Sequence, residues 1–157
     1  MRKKMAKLKT GDPAPALEAV DQDGNMKTLA DYRGRKLILY FYPKDNTPGC
    51  TAEACSLRDG RDTLRRMGFE VVGVSPDSEK SHQGFIAKQG LNFTLLADTD
   101  KKIAEAYGVW GEKKFMGRKF MGILRTTFVI DEQGVIEKIF DKVRTKDHFE
   151  QIVEAYQ

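Results

Sequence analysis

The chain has 157 residues, of which 40% are hydrophobic, and it carries 27 Lys and Arg against 23 Asp and Glu. This length suits one domain, residues 1–157, while two cysteines are too few for a disulfide scaffold and no apolar run reaches the roughly 18 residues of a membrane span. The net charge of +4 comes from one end of the chain, which argues against a nucleic-acid-binding protein, because such a protein needs a basic patch on its fold.

The basic excess lies in the first nine residues, which contain five Lys and Arg side chains. The remaining 22 basic residues face 23 acidic ones, so the rest of the chain is nearly neutral. We expect residues 1–9 to form a flexible tail. Because no apolar segment follows, the tail does not have the composition of a secretion signal, and we expect a cytoplasmic protein.

Apolar runs predict three buried strands, at residues 37–42, 69–75 and 126–130. A turn signal at residues 131–134 predicts a hairpin between the third strand and residues 135–140. Helical patterns cover residues 50–67, 78–89, 100–107 and 147–156, with a short strand between the second and the third. This order predicts an α/β fold of the thioredoxin-like kind, with a mixed central sheet and helices on both faces.

The segment from Pro43 to Cys55 lies where the first buried strand ends and the first helix begins. Thr47 suits the N-cap and Pro48 the first helical position, so Cys50 falls in the first turn. The amides of a first turn have no acceptor within the helix and favour an anion, such as a cysteine thiolate. A typical thiol, with a pKa of about 8.5, is only about 3% ionised at pH 7, and a helix start lowers such a pKa by less than one unit.

Activation of Cys50 therefore requires a second cationic group. We expect Arg125 to supply it, because Arg125 directly precedes a buried strand, and ligand sites in such sheets lie beyond the strand ends. His82 and His148 are poorer candidates, since both lie in polar helical patterns with no sign of facing the site.

Cys55 follows Cys50 by five residues. In an α-helix, residues five apart have Cα atoms about 8.6 Å apart, whereas a disulfide needs roughly 4.4–6.8 Å. The two cysteines therefore either never bond or bond only after the first turns of the helix unwind. Two unrelated cysteines remain an alternative. A metal site would lack ligands, and the spacing differs from the C-x-x-C of a disulfide exchanger.

The pattern Pro43-x-x-x-Thr47-x-x-Cys50 resembles the signature of the peroxiredoxins. Extended to Cys55, the segment is similar to the subgroup called bacterioferritin comigratory protein, or peroxiredoxin Q. The resemblance covers the chain from about residue 8 to the C-terminus, and it continues through residues 73–77, 96–98, 107–110 and 125–131.

This resemblance implies a thiol-dependent peroxidase that reduces hydrogen peroxide and organic hydroperoxides without a cofactor or metal. Cys50 matches the peroxidatic cysteine, which becomes a sulfenic acid. Cys55 matches the resolving cysteine, which forms an intramolecular disulfide that thioredoxin or a similar dithiol reductant reopens. We expect the oxidised protein to lose helix around residues 50–57. The resemblance also implies a monomer, with a weak dimer as the alternative.

The resemblance assigns roles to the neighbours of the sulfur as well. Thr47 matches the residue that contacts the thiolate and orients the peroxide, and Arg125 the residue that stabilises the leaving oxygen. Pro43 matches the residue that shields the sulfur from water, and the amides of Gly49 and Cys50 complete the substrate pocket. The alternatives are a thiol–disulfide oxidoreductase acting on proteins and a non-enzymatic redox sensor or chaperone.

Two further features are expected to be structural. Asp45 and Glu53 are interpreted as charges that suit a positive helix start, and Glu53 is also a candidate to orient Arg125 or close a cap. Residues 114–122 repeat Lys-Phe-Met-Gly after five residues, and we expect an irregular loop whose side chains fill the core. The alternatives for this loop are an apolar rim of the crevice and a docking surface for the reductant.

Overall fold

The computed structural model describes residues 7–157, so most of the predicted basic tail, residues 1–6, lies outside the described residues. Its last positions contact the fold. Leu8 packs against the core, and the Lys9 ammonium lies 3.0 Å from the Asp12 carboxylate.

The described part of the chain forms nine strands and four α-helices. In chain order they are β1 Glu18–Asp21, β2 Met26–Thr28, β3 Lys36–Phe41, α1 Pro48–Arg66, β4 Phe69–Ser75, α2 Glu79–Gln89, β5 Thr94–Ala97, α3 Lys102–Ala106, β6 Trp110–Phe115, β7 Arg118–Ile123, β8 Thr126–Ile130, β9 Ile136–Phe140 and α4 His148–Glu154. The predicted strands at residues 69–75 and 126–130 are confirmed to the residue, and the predicted helices lie within a few residues of those observed. Strands β1, β2, β6 and β7 were not predicted.

Seven of the strands form one mixed sheet in the order β2-β1-β5-β4-β3-β8-β9. Strands β3, β4 and β5 are parallel, whereas β8 pairs with β3, and β9 with β8, in the antiparallel sense. This confirms the predicted hairpin after residue 126. The order also places β3 in the interior of the sheet, so the loop that follows it emerges between β4 and β8.

Alternating side chains of the central strand feed two separate cores. Leu37, Leu39 and Phe41 point to the side of α3, and Ile38 and Tyr40 point to the side of α1, α2 and α4. Helices therefore cover both faces of the sheet, as the sequence predicts. All five side chains are 1% exposed or less, which explains why this strand reads as a continuous apolar run.

Helix α1 is anchored through its second half. Leu57 and Leu64 are fully buried against the sheet, and Gly60 lies so close to the Phe149 ring of α4 that a Cβ atom would have no room. The Phe149 amide also donates to Ser56 Oγ at 3.0 Å. The later turns of α1 are thus fixed from two sides. Within residues 7–157, no helix combines the length and the apolar character needed to cross a bilayer.

Candidate active site

Cys50 lies in the first turn of α1, directly beyond the interior strand β3. Thr47 occupies the N-cap with extended backbone, and Pro48 begins the helix, as predicted. The Thr51 amide donates to the Thr47 carbonyl at 2.8 Å, so the amides of Gly49 and Cys50 precede the first helical hydrogen bond. The Cys50 side chain is 1% exposed and packs in the core beneath α1.

The Arg125 guanidinium bridges the sulfur and a buried carboxylate. Its Nη2 donates to Cys50 Sγ at 3.3 Å, and its Nη1 donates to Glu53 Oε1 at 2.6 Å. The expectation that Arg125 reaches Cys50, and the suggestion that Glu53 orients Arg125, agree with this geometry. A planar fork with two fixed donors holds both acceptors at once, which a lysine ammonium does less well. The bridge places a positive charge beside the sulfur.

Gly49 leaves room for this bridge. A Cβ atom at position 49 would lie 3.3 Å from Arg125 Nη2, which is tighter than an ordinary contact. A glycine at position 49, directly before Cys50, therefore avoids crowding of the Arg125 guanidinium. Gly49 also places its amide at the helix start.

Glu53 is fully buried, and burial is the main influence on its charge. Loss of water raises the pKa of Glu53 to about 7, although the nearby Arg125 opposes this shift. Among residues 7–157, its second oxygen, Oε2, has no hydrogen-bond partner, and it lies 3.8 Å from Nε2 of His148. Glu53 is thus a titrating group that contacts the same guanidinium as Cys50.

His148 lies behind Glu53, a position that its polar helical pattern did not indicate. Arg125, and not His148, contacts the sulfur, in agreement with the prediction that His148 is the poorer candidate for the activating cation. The Arg144 amide donates to Gln151 Oε1, which shows that this atom is the acceptor oxygen of the side-chain amide. The same oxygen lies 2.9 Å from His148 Nδ1. Because an oxygen of this kind only accepts, Nδ1 carries the proton. Nε2 then accepts from Thr127 Oγ1 at 2.8 Å. Burial lowers the pKa of His148 to about 4, so the ring is neutral at pH 7.

Thr47 and Pro43 flank the helix start, and both are partly buried. The Thr47 hydroxyl donates to the Lys44 carbonyl at 2.9 Å and does not cap the helix through its side chain. Of the hydrogen bonds between described residues, none joins Thr47 to the Cys50 sulfur. Thr47 is therefore near the site by position, and its role towards a peroxide stays a prediction.

Cys55 lies one and a half turns further along α1 and is partly exposed. Its sulfur lies 3.6 Å from Gln89 Oε1, at the end of α2. Both cysteines are free thiols within an intact helix. This agrees with the geometric argument that an intact helix keeps the two sulfurs unbonded.

A cavity of about 550 Å³ opens on the other side of Arg125. Its wall is mixed, with apolar residues such as Leu124 and Phe128 beside charged ones such as Lys113 and Asp141, and it does not include Cys50. Arg125 thus lines this cavity on one side and contacts the sulfur on the other.

Comparisons with known proteins identify this arrangement. Residues 10–139 match the AhpC/TSA family. The chain belongs to this family. It is 46% identical over 149 residues to peroxiredoxin Bcp of Escherichia coli, covering 95% of this chain and 96% of that protein. It is 45% identical over 150 residues to peroxiredoxin Bcp of Bacillus subtilis, covering 96% and 94%.

Solved structures of peroxiredoxin Q share the fold. A Cys-to-Ser mutant of Xylella fastidiosa PrxQ superposes with a TM-score of 0.89 at 33% identity, over 97% of each chain. The Xanthomonas campestris bacterioferritin comigratory protein gives a TM-score of 0.82 at 36% identity, over 88% of each chain. The protein is therefore a peroxiredoxin with a thioredoxin-like fold, and peroxiredoxins are thiol-dependent peroxidases.

In this peroxiredoxin, the segment with the repeated Lys-Phe-Met-Gly is not a loop that fills the core. It forms the two-stranded ribbon β6–β7, which pairs with no other strand of the described chain. Phe115 is 67% exposed and Met116 87% exposed, because only the base of the ribbon contacts the core. Met116 and Gly117 both have positive φ, as a tight hairpin turn requires. The apolar rim and the docking surface for the reductant stay predictions.

The burial of Asp45 and His82 was not predicted from the sequence, although His82 makes no hydrogen bond to Cys50 in the described chain, as its weak candidacy implied. Asp45 is not a charge at the helix start, because it is buried and hydrogen-bonded to Tyr42 directly after β3, to Asp77 in the loop after β4 and to Ser81 of α2. His82 is buried beside it. The available signal was spacing, since His82 precedes the buried Phe85 by three residues and His148 precedes the buried Ile152 by four, which places each histidine on the inner face of its helix.

Proposed function

We propose that this peroxiredoxin reduces hydrogen peroxide and alkyl hydroperoxides through Cys50 as the peroxidatic cysteine. The observation that carries the proposal is the Arg125 bridge between Cys50 Sγ and the buried Glu53. A cation held beside a buried sulfur favours the thiolate, which is the nucleophilic form. The similar bacterioferritin comigratory protein of Xanthomonas campestris has alkyl peroxide reduction activity, which supports the substrate class.

In the first step, the Cys50 thiolate attacks one oxygen of the peroxide and the O–O bond breaks. The attacked oxygen stays on the sulfur as a sulfenic acid, while the other oxygen leaves with the electron pair of the bond and takes a proton to form water or an alcohol. Arg125 stabilises the charge that moves to the leaving oxygen, and the amides of Gly49 and Cys50 donate to the bound peroxide. Thr47 orients the peroxide, and Pro43 limits access of water.

In the second step, the Cys55 sulfur attacks the sulfenic acid of Cys50, the S–S bond forms, and water leaves. This step requires the first turns of α1 to unwind, because the helical spacing of the two residues is too long for a disulfide. A thioredoxin-type dithiol then reduces the disulfide by exchange, and its own thiols become oxidised. No cofactor or metal takes part. We propose that a single domain, acting as a monomer, completes the cycle.

The test is a peroxide-consumption assay with purified protein, thioredoxin, thioredoxin reductase and NADPH. We expect catalytic turnover by the natural chain and none by Cys50→Ser. Reduction of protein disulfides without peroxide turnover would instead favour a thiol–disulfide oxidoreductase. Oxidation of Cys50 without recycling would favour a redox sensor.

A further inference from the structure

Asp45 joins the loop of the active site to the body of the fold. It lies two residues before Thr47, and its side chain is 4% exposed. Asp45 Oδ1 accepts from Tyr42 Oη at 2.6 Å, and Oδ2 accepts from Ser81 Oγ at 2.8 Å and lies 2.7 Å from His82 Nδ1. The carboxylate is thus held by the end of β3 and by the first turns of α2.

His82 is fully buried. Its hydrogen-bond contacts show how many protons His82 and Asp45 hold together. Its Nε2 lies 2.9 Å from the Leu96 carbonyl. A carbonyl only accepts, so Nε2 carries a proton. One further proton lies in the contact between Nδ1 and Asp45, whichever of the two groups holds it. The pair therefore carries no net charge in the interior, and its contact is a strong hydrogen bond in either arrangement.

The main chain of the same loop is also constrained. The Asp45 amide donates to Asp77 Oδ2 at 2.8 Å, and Ser75 Oγ donates to the same oxygen at 2.7 Å. The next residue, Asn46, has φ of 65°, a left-handed backbone that carries strain in most residues other than glycine. Asparagine adopts this conformation more readily than most other residues. The hydrogen bonds of Asp45 fix the chain directly before this turn, which leads into Thr47.

We propose that Asp45 and His82 form a clamp that positions the loop 43–47 for the reaction of Cys50 with peroxide. This inference rests on the proposed function of Cys50. The clamp touches neither sulfur nor substrate, so both are positioning residues. They set where Thr47 and Pro43 stand relative to the helix start, and Arg125 holds the sulfur from the other side.

The same residues do not form a vacant metal site. The ligand atoms of Asp45, Asp77 and His82 lie within 4.8 Å of one another. However, Asp45 Oδ2, Asp77 Oδ2 and His82 Nδ1 already take part in hydrogen bonds, and a metal would have to displace the proton between Asp45 and His82. The arrangement is complete as a hydrogen-bonded clamp.

The clamp can be tested because two reactions of Cys50 place different demands on the loop. Peroxide reduction needs Thr47, Arg125 and the amides in one geometry, whereas alkylation by iodoacetamide does not. Alkylation is followed at Cys50 alone by mass spectrometry, because Cys55 is the more exposed thiol. A displacement of about 1 Å commonly lowers a rate by about 100-fold. Loss of the clamp should therefore slow the reaction with peroxide about 10- to 100-fold and alkylation less than about 3-fold.

Two substitutions of His82 separate clamping from packing. In His82→Asn, the amide occupies the place of Nδ1 and can still donate to Asp45, while in His82→Gln it occupies the place of Nε2 and reaches only Leu96. We expect His82→Asn to retain much more peroxide reactivity than His82→Gln. Rates of Cys50 oxidation would be measured by competition for hydrogen peroxide in the full chain, with thermal melting recorded for each variant.

Equal rates for the two variants, or parallel losses in the peroxide and iodoacetamide reactions, would overturn the clamp. Ser81→Ala serves if both variants unfold, because Ser81 is only partly buried and its loss removes one bond to Asp45. We expect about a 2- to 5-fold loss of peroxide reactivity from Ser81→Ala, and an unchanged rate would also contradict the clamp. If the natural chain itself fails to react with peroxide, the proposed function is wrong, whereas the clamp alone fails when the natural chain and its variants react alike.

Discussion

Cys50 and Cys55 belong to the same helix, yet their surroundings differ. Cys50 is buried, and its sulfur accepts a hydrogen bond from Arg125. Cys55 is partly exposed, and its sulfur makes only a weak contact with Gln89. The Cys50 sulfur is thus buried beside a cation, whereas the Cys55 sulfur is partly open to solvent.

The difference also indicates which part of α1 moves. Ser56 and Gly60 are packed against Phe149, so the helix after Cys55 is anchored to α4. The turns before Ser56 bury Cys50 and Ala54 in the core and are joined to Arg125 through Cys50 and Glu53. The contact between Arg125 and Cys50 changes when the sulfur is oxidised. Unwinding on disulfide formation should therefore start at the helix N-terminus and stop near Ser56.

The largest effect is expected from removing the sulfur of Cys55. Cys55→Ser should reduce one equivalent of peroxide at an unchanged rate and then stall, because no thiol resolves the sulfenic acid. Mass spectrometry after one equivalent of peroxide would show a single added oxygen on the variant. Sustained turnover with thioredoxin as the sole reductant would show that Cys55 is not the resolving residue.

Arg125→Lys should lower the rate of Cys50 oxidation about 10- to 100-fold, because a point charge replaces a fork that reaches sulfur and carboxylate together. Glu53 Oε1 would also lose the hydrogen bond that it accepts from Arg125 Nη1. Stopped-flow measurement of the peroxide reaction tests this, with Arg33→Lys, an exposed arginine far along the chain, as the matched control. A change of less than about 2-fold would mean that the charge alone suffices.

The two buried groups Glu53 and His148 should make the stability of the protein depend on pH in opposite directions. The pKa of Glu53 is raised to about 7, so its contribution to stability is present at low pH and is lost as the pH rises through 7. The pKa of His148 is lowered to about 4, so its contribution is present above pH 6.5 and is lost as the pH falls towards 4. Between pH 7.5 and 4.5 the two effects, each about 2–3 kcal/mol, oppose one another.

Relative to the natural chain, Glu53→Gln should therefore lose stability on acidification and His148→Gln should gain it. Urea unfolding at pH 7.5 and 4.5 would measure both, and Glu18→Gln, at an exposed position, is the control for general carboxylate titration. If acidification changed the stability of both variants in the same direction, relative to the natural chain, the opposing effects of Glu53 and His148 would be contradicted.

Oxidation should remove helix only on the N-terminal side. We expect the disulfide form to lose about two turns of helix by circular dichroism, with amide hydrogen exchange accelerated before Ser56 and unchanged around Gly60. A Cys50–Cys55 disulfide with the helix fully retained would refute the geometric argument.

The smallest effect is expected at Gly49. Gly49→Ala brings a methyl group within 3.3 Å of Arg125 Nη2, so the guanidinium must shift by a few tenths of an ångström. We expect the reaction with peroxide to be about 2- to 5-fold slower, because the guanidinium is then slightly displaced from the position that the reaction requires. Gly84→Ala, where a Cβ meets nothing, is the control.

The sequence alone determined the parts of this peroxiredoxin that depend on local pattern. Strands such as residues 69–75 and 126–130 read as apolar runs because both of their faces are buried, and the position of Cys50 follows from the Thr47-Pro48 helix start. The conflict between the spacing of Cys50 and Cys55 and a disulfide is also local, since it depends only on helix geometry.

Only the tertiary structure decided which polar groups are buried around the site. Asp45, His82 and His148 lie far apart in sequence or in polar helices, and each becomes an interior group only when α2 and α4 pack on the sheet. Likewise, Phe115 and Met116 have apolar side chains that composition assigns to the core, yet pairing between β6 and β7 projects them into solvent. Burial is a property of the assembled elements, so a single stretch of sequence does not determine it.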